Sequence, residues 1–290
     1  MASTSAPGAR RLRLADAWAS FVAHPLAVVG LVTLLLLVIG CFLGPLAWST
    51  DQVHTSLTDA LLPPGAGHPL GTDDLGRDVL GRLMAGGQVS LLVGAAAAVI
   101  ATGVGAVYGA LAGYLGGIVD GFMMRVVDAA VSIPTLFVVL FVASLARPTL
   151  PTLIAAIAAT SWLVPARIVR GEALTLRRLG FVRMVPLMGG GVVRAVGAHV
   201  LPNAVSTIVV NATFQIADAI LTIATLSFLG LGPRPPTANW GGMLSGGLDY
   251  EYSGYWWMIY PAGLAIIVTV VSINLVGDGL RDALTPRSAR

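Results

Sequence analysis

From Leu26 to Trp48 the chain runs for about 23 residues without a charge, roughly 35 Å of helix at 1.5 Å per residue. The hydrocarbon core of a bilayer is about 30 Å thick. A backbone in lipid must satisfy its own hydrogen bonds, which restricts a run of this kind to a membrane-crossing helix. It is too long for the apolar region of a signal peptide, so the preceding Arg10-Arg11 reads as a cytoplasmic tail and not an export leader. Five further apolar stretches follow, at Val89–Leu111, Val126–Leu145, Pro151–Ile168, Val205–Phe228 and Trp257–Val276. Only 11% of the 290 residues are charged, against about a quarter in soluble proteins, so lipid must solvate most of the surface. The expected fold class is an all-α integral membrane protein of six transmembrane helices.

With six spans both termini fall on one side. Thirteen arginines then lie in the tails and inner loops, and four (Arg77, Arg82, Arg147, Arg234) lie outside. The positive-inside rule makes the termini cytoplasmic. The expected partition is a tail over 1–25, a first span over 26–48, an extracytoplasmic segment over 49–88 and a core over 89–280. The core holds a cytoplasmic loop (169–204) and an extracytoplasmic loop (229–256), and 281–290 form a second tail. A net charge of +3 confined to loops gives no basis for nucleic-acid binding. The single Cys41 and the scattered His24, His54, His68 and His199 offer neither a disulfide nor a metal motif. No phosphate-binding glycine loop, zinc-protease helix or nucleophile elbow occurs, so neither an enzyme nor a bound cofactor is expected.

Several local features carry expectations. Thr72 can cap a short amphipathic helix in which Leu75, Val79, Leu83 and Met84 recur at helical spacing. Gly105, Gly109, Gly113 and Gly117, four residues apart, define one helix face for close packing. Pro134 falls inside the third span and Pro165 near the inner end of the fourth. Trp240, Tyr250, Tyr252, Tyr255 and Trp256 suit a membrane–water interface. Asp218 is the one acid at clear membrane depth, with Asp128 and Asp278 nearer inner ends. It is a candidate for a translocation pathway, a partner contact or a structural hydrogen bond.

Between the fourth and fifth spans the chain turns basic. Ala173–Val185 can form a helix exposing Arg177, Arg178 and Arg183, which Pro186 should kink or end. Gly189-Gly190-Gly191 permits a turn, and Val192–Leu201 can form a second short helix ending at Pro202. Two short helices joined by glycine make a protruding knob suited to docking another protein.

These blocks together resemble the C-type permease subunit of dipeptide/oligopeptide ABC importers, with the type I importer (MetI-like) permease fold. The resemblance covers nearly the whole chain. It is carried by His68-Pro-Leu-Gly-Thr-Asp-Asp-Leu-Gly-Arg-Asp-Val79, Arg167-Ile-Val-Arg170, Phe181-Val-Arg, Gly189, His199-Val-Leu-Pro-Asn203 and Leu226-Ser-Phe-Leu-Gly-Leu-Gly232. Pro235-Pro-Thr, Trp240-Gly and Asn274-Leu-Val-Gly-Asp-Gly-Leu-Arg-Asp-Ala283 complete it. It implies a half-channel paired with a homologous B-type permease, two cytoplasmic ABC ATPases that bind ATP and Mg, and an extracytoplasmic substrate-binding protein. It also implies an ATPase-coupling segment at Arg183, Met184, Val185, Gly189, Leu201 and Pro202. The family's Glu/Arg-Ala-Ala start is Arg183-Met184-Val185 here, followed by Pro186, so a kinked or shifted coupling helix is expected. Ile223 stands where a glutamate is common. Peptide is the expected solute; nickel, glutathione, haem or oligosaccharide are alternatives within the same type. A self-contained secondary transporter or channel, or an intramembrane enzyme, are the rival classes.

Overall fold

The computed structural model describes residues 17–145 and 148–284, helical for most of their length. Arg10, Arg11, Arg13, Arg147, Arg287 and Arg290, used above for sidedness, lie outside the described residues. The helices are α1 (Pro25–Ala47), α2 (Val79–Leu115), α3 (Gly117–Val131), α4 (Thr135–Leu145), α5 (Leu150–Ser161) and α6 (Leu163–Leu176). After them come α7 (Gly180–Leu187), α8 (Val192–Ala195), α9 (Leu201–Asn203), α10 (Val205–Phe228), α11 (Trp240–Gly247) and α12 (Tyr260–Leu284). α1, α2, α10 and α12 are long and apolar enough to cross a membrane. The pairs α3–α4 and α5–α6 each qualify as one broken span.

The breaks refine what the prolines suggested. α3 and α4 meet at 75°, because Pro134 supplies no N–H and a turn through Ser132 and Ile133 replaces a helical one. α5 and α6 meet at 43° at Trp162, while Pro165 sits unstrained in the first turn of α6, where an N–H has no intrahelical partner anyway. α6 also runs on to Leu176, well past the expected end at Ile168.

α2 is the axis of the bundle. Over its most apolar stretch 56% of residues are buried, against 17% in α1, which flanks the bundle. Val93 and Ala97 of α2 pack with Leu153 and Ile157 of α5 and with Ile223 and Leu226 of α10. α2 begins at Val79, not at the expected Val89, and no separate amphipathic helix precedes it. The expected cap is displaced as well. Asp73 folds 73–77 into a turn by accepting the N–H groups of Leu75 and Arg77, both at 2.9 Å. Thr72 instead donates to the Asp59 carbonyl and accepts from the Leu62 N–H.

Asp78 caps α2, accepting the Gly81 N–H at 2.7 Å and the indole N–H of Trp48 at 3.0 Å, with His68 Nδ1 also at 3.0 Å. Asp73 pairs with Arg77 (2.8 Å) and Arg82 (3.3 Å) beside it. Trp240 is fully buried, donating its indole N–H to the Leu83 carbonyl, and Trp257 donates to the Thr72 carbonyl. Trp240 is therefore a core residue and not part of an interfacial belt; Tyr252 and Trp256 are exposed. This cap closes one end of the bundle. At the other end lie the basic loop, the start of α1 and the end of α12, where His24 meets Asp282 at 3.4 Å.

Asp78→Ala removes a helix cap and leaves the Trp48 indole without its partner, a cost of about 2 kcal/mol. A clear drop in the thermal midpoint in detergent is expected, with Asp78→Asn falling between the two because its amide oxygen still accepts. An unchanged midpoint for Asp78→Ala would show that the cap does not hold α2.

Candidate functional site

The expected helix over Ala173–Val185 is two helices. α6 stops at Leu176, and Leu179 takes an extended conformation (φ −72°, ψ 141°) that caps α7, its carbonyl accepting the N–H groups of Val182 and Arg183, each at 3.1 Å. The break lets Leu176 and Val182 both reach one apolar cluster with Val169, Ala173, Val196 and Val200, packed on Ala106 and Ala110 of α2. An unbroken helix would carry Val182 past that cluster.

Pro186 occupies the last turn of α7, where its missing N–H forfeits one bond, and the helix ends one residue later, at Leu187. The end is built from the triple glycine. Gly190 N–H donates to the Val185 carbonyl (2.8 Å) and Gly189 N–H to the Pro186 carbonyl (3.0 Å). Gly189 has φ +76°, so the turn is a Schellman motif with glycine in the left-handed position. Beyond it the backbone runs through α8, a π-helical turn over Val196–Val200 and α9. The widened turn precedes Pro202, which lacks an N–H, and the Asn203 amide donates to the His199 carbonyl at 2.6 Å. The expected stop at Pro202 falls instead at Ala204, between α9 and α10.

The expected coupling residues separate into two groups. Arg183, Met184, Gly189 and Pro202 are exposed; Leu201 is half-buried against the apolar cluster. Val185 turns inward and is buried, with its Cγ1 beneath Gly190, because α7 presents residues three apart, Val182 and Val185, to the bundle. It anchors the loop and offers no contact surface. Met184 of the expected set and four residues outside it, Phe181, Leu187, Met188 and Val193, do offer one. Phe181 and Met184 are about half exposed (48% and 50%), Leu187 and Met188 nearly four-fifths (79% and 78%), and Val193 is 85% exposed. They stand among the exposed Arg177, Arg178, Arg183 and Arg194, charges that do not belong in lipid. The signal was present in the sequence: apolar residues at 181, 184 and 188 share a helical face inside an otherwise basic loop.

The loop is rigidly tied to the bundle through α6. Gly105, Gly109 and Gly113 of α2 form a groove for this helix. A Cβ at Gly105 would lie 2.6 Å from the Trp162 carbonyl oxygen, at Gly109 against the Ala166 carbonyl, and at Gly113 2.7 Å from the Arg170 carbonyl. Gly117 does not share this face. α2 ends at Leu115, Gly116 turns the chain with φ +65°, and Gly117 opens α3 with no neighbour within 4 Å of its would-be Cβ. α3 is held to α6 by Arg170, whose guanidinium makes two bonds to the buried Asp120 (2.5 and 2.7 Å), and by Arg167 to Asp128 at 2.6 Å. Asp218 lies apart from all of this, exposed midway along α10. No group of three or more metal-ligating side chains occurs among the described residues.

Two family models match the chain. Residues 105–290 match the binding-protein-dependent transport system inner membrane component, and residues 13–64 the N-terminal transmembrane domain of oligopeptide transport permease C. The chain belongs to the family of binding-protein-dependent transport system inner membrane components. It is 40% identical to the dipeptide transport system permease protein DppC of Bacillus subtilis, over 95% of this chain and 86% of that one. It is 39% identical to the oligopeptide transport system permease protein OppC of the same organism, over 94% and 89%. To the di/tripeptide transport system permease protein DppC of Pseudomonas aeruginosa the identity is 36%, over 94% and 92%.

Gly189→Val places a β-branched residue at positive φ, a strain of roughly 1–2 kcal/mol or more concentrated in one turn. Space is open around Gly189, so the expected effect is a reshaped loop on an intact bundle. Protease cleavage within the loop should accelerate while the detergent-extracted chain stays folded. A loop as resistant as the parent's would mean the Schellman turn does not set its shape.

Proposed function

We propose that this chain is one half of the translocation pathway of an ATP-driven importer of di- and oligopeptides. It works with a homologous B-type permease chain, two cytoplasmic ABC ATPases that hold ATP and Mg, and an extracytoplasmic protein that delivers the peptide. The observation that carries the reading is the exposed apolar patch of Phe181, Met184, Leu187, Met188 and Val193, ringed by arginines and braced from below. Peptide as the solute rests on the naming of the relatives. The arginines put the loop end in the cytoplasm, and with it both termini. The cap end, with Asp78 and Trp240, then faces the binding protein.

Chemically this chain breaks and makes no covalent bond; it converts docking energy into a change of helix packing. Covering apolar side chains of this size is worth about 1.5–3 kcal/mol each at full burial, so a partner seated on the patch gains roughly 5 kcal/mol. Only the part of that energy that differs between the inward- and outward-open packings shifts their balance, and a swing from 1:99 to 99:1 takes a difference of about 5.5 kcal/mol. Force applied to α7 passes through Val182 to α6, and through the glycine groove to α2. The bundle then alternates between inward- and outward-open packings.

Reconstitution in proteoliposomes tests the reading. Peptide uptake should require the partner permease, the ATPases, ATP and the binding protein together; uptake by this chain alone would defeat it. Met184→Asp and Leu187→Asp should release the ATPases on purification and lower uptake at least tenfold, while the chain itself remains folded. Val185→Asp, at a buried position, should instead destabilise the chain. Full uptake by the Met184 and Leu187 variants would remove the patch as the docking surface.

A further inference from the structure

Thr207, Asn211, Phe214, Asp218, Thr222 and Thr225 follow one another at intervals of three or four residues and lie along one face of α10. The opposite face, with Ala219, Ile220, Ile223 and Leu226, is buried in the bundle. Asp218 sits about 20 Å along a helix of roughly 36 Å, close to the middle of the bilayer. Its side chain is exposed and has no hydrogen-bonding or ionic partner among the described residues. The hydroxyls of Thr222 and Thr225 are satisfied by the carbonyls of Asp218 and Leu221, so they are tolerated in lipid. A bare carboxylate is not. This face therefore meets either protein or a water-filled path.

The loop end of the same face favours a path. There α6, α10 and α12 enclose a cleft of about 640 Å³ lined in part by Glu172, Asn203, Thr207, Asn211, Phe214 and Arg281. Asn211 is about nine-tenths buried, and its Oδ1 has no partner among the described residues. Phe214, seated against Gly277 of α12, lies one turn from Asp218. The cleft thus holds a carboxylate and amide groups, which suit the ammonium and the peptide bonds of a peptide solute.

On the reading that the chain carries peptides, we infer that this face of α10 is the wall along which the solute moves. Asp218 is a specificity residue on it that holds the peptide's free ammonium group near the bilayer midplane, and Glu172 and Arg281 line the mouth through which the zwitterion leaves. No covalent step is involved.

The test uses the full complex in proteoliposomes. In a Cys41→Ser background, Asp218→Cys should react with a water-soluble, membrane-impermeant methanethiosulfonate, and Ala-Ala should slow the labelling. Asp218→Asn should lower ATP-driven Ala-Ala uptake about tenfold, the scale of one charge-assisted hydrogen bond. Peptide affinity of the binding protein and retention of the partner permease should be unchanged, and Asp218→Glu should recover most of the uptake. An unlabelled Asp218→Cys overturns the path, and parental uptake by Asp218→Asn overturns the ammonium site. Loss of the partner permease from Asp218→Asn would make the carboxylate half of an intersubunit ion pair. Absence of any ATP-dependent uptake by the parental complex defeats the importer reading instead, and the labelling result still decides the path.

Discussion

The contact on which the remaining structure depends is the one between α2 and α6. Helices with side chains at every position pack 8–10 Å apart. Here Gly105, Gly109 and Gly113 remove those side chains from one face of α2, and the α6 backbone from Trp162 to Arg170 occupies the space. In lipid, where helices gain nothing by hiding apolar surface from water, such close van der Waals contact is the main source of association. Once α6 is fixed, Arg170 can reach Asp120 and fix α3, and the loop beyond Leu176 can lay Val182 and Val200 onto α2. Each of these arrangements presupposes the groove.

This order of dependence makes the basic loop stiff although it stands outside the bundle. Its inward side chains belong to the same cluster as Ala106 and Ala110 of α2, and its sharpest turn is closed by two backbone hydrogen bonds at Gly189 and Gly190. A floppy loop would absorb a push by changing shape. On the docking role proposed above, this one would transmit it, because apolar packing on one side leaves it few other conformations. The outward side chains are correspondingly free to be selected for what they touch.

Much of this was legible in the sequence. The long apolar runs announced spans because lipid leaves the backbone so few alternatives, and the glycine period announced a packing face because absent side chains leave a visible register. The turn at Gly189 was legible for the same reason. What was not legible depended on contacts distant in sequence. Whether helix began at Val79 or Val89 turned on Asp78 meeting Trp48 and His68, thirty and ten residues away. The 75° bend between α3 and α4 leaves only a proline as its trace, and a proline does not state an angle. That Val185 is buried while its neighbour Met184 is exposed was not legible, because family position alone does not show which way a side chain turns. Trp240 was misread as interfacial because an aromatic in a loop fits a buried plug equally well. Gly117 continued a period that the helix itself had already abandoned at Leu115.

The length of α2 carries one more consequence. At 37 residues it is about 55 Å long, so it outreaches the hydrocarbon layer by some 25 Å. Its first turn is bonded into the cap around Asp78 and Trp240, and its last turns are packed under the basic loop. A stiff rod of that length pivoting by about 10° near its centre sweeps its two ends about 5 Å in opposite directions. The membrane then serves as a fulcrum. On the importer role proposed above, a push at one face of the protein would reach the other reversed in direction.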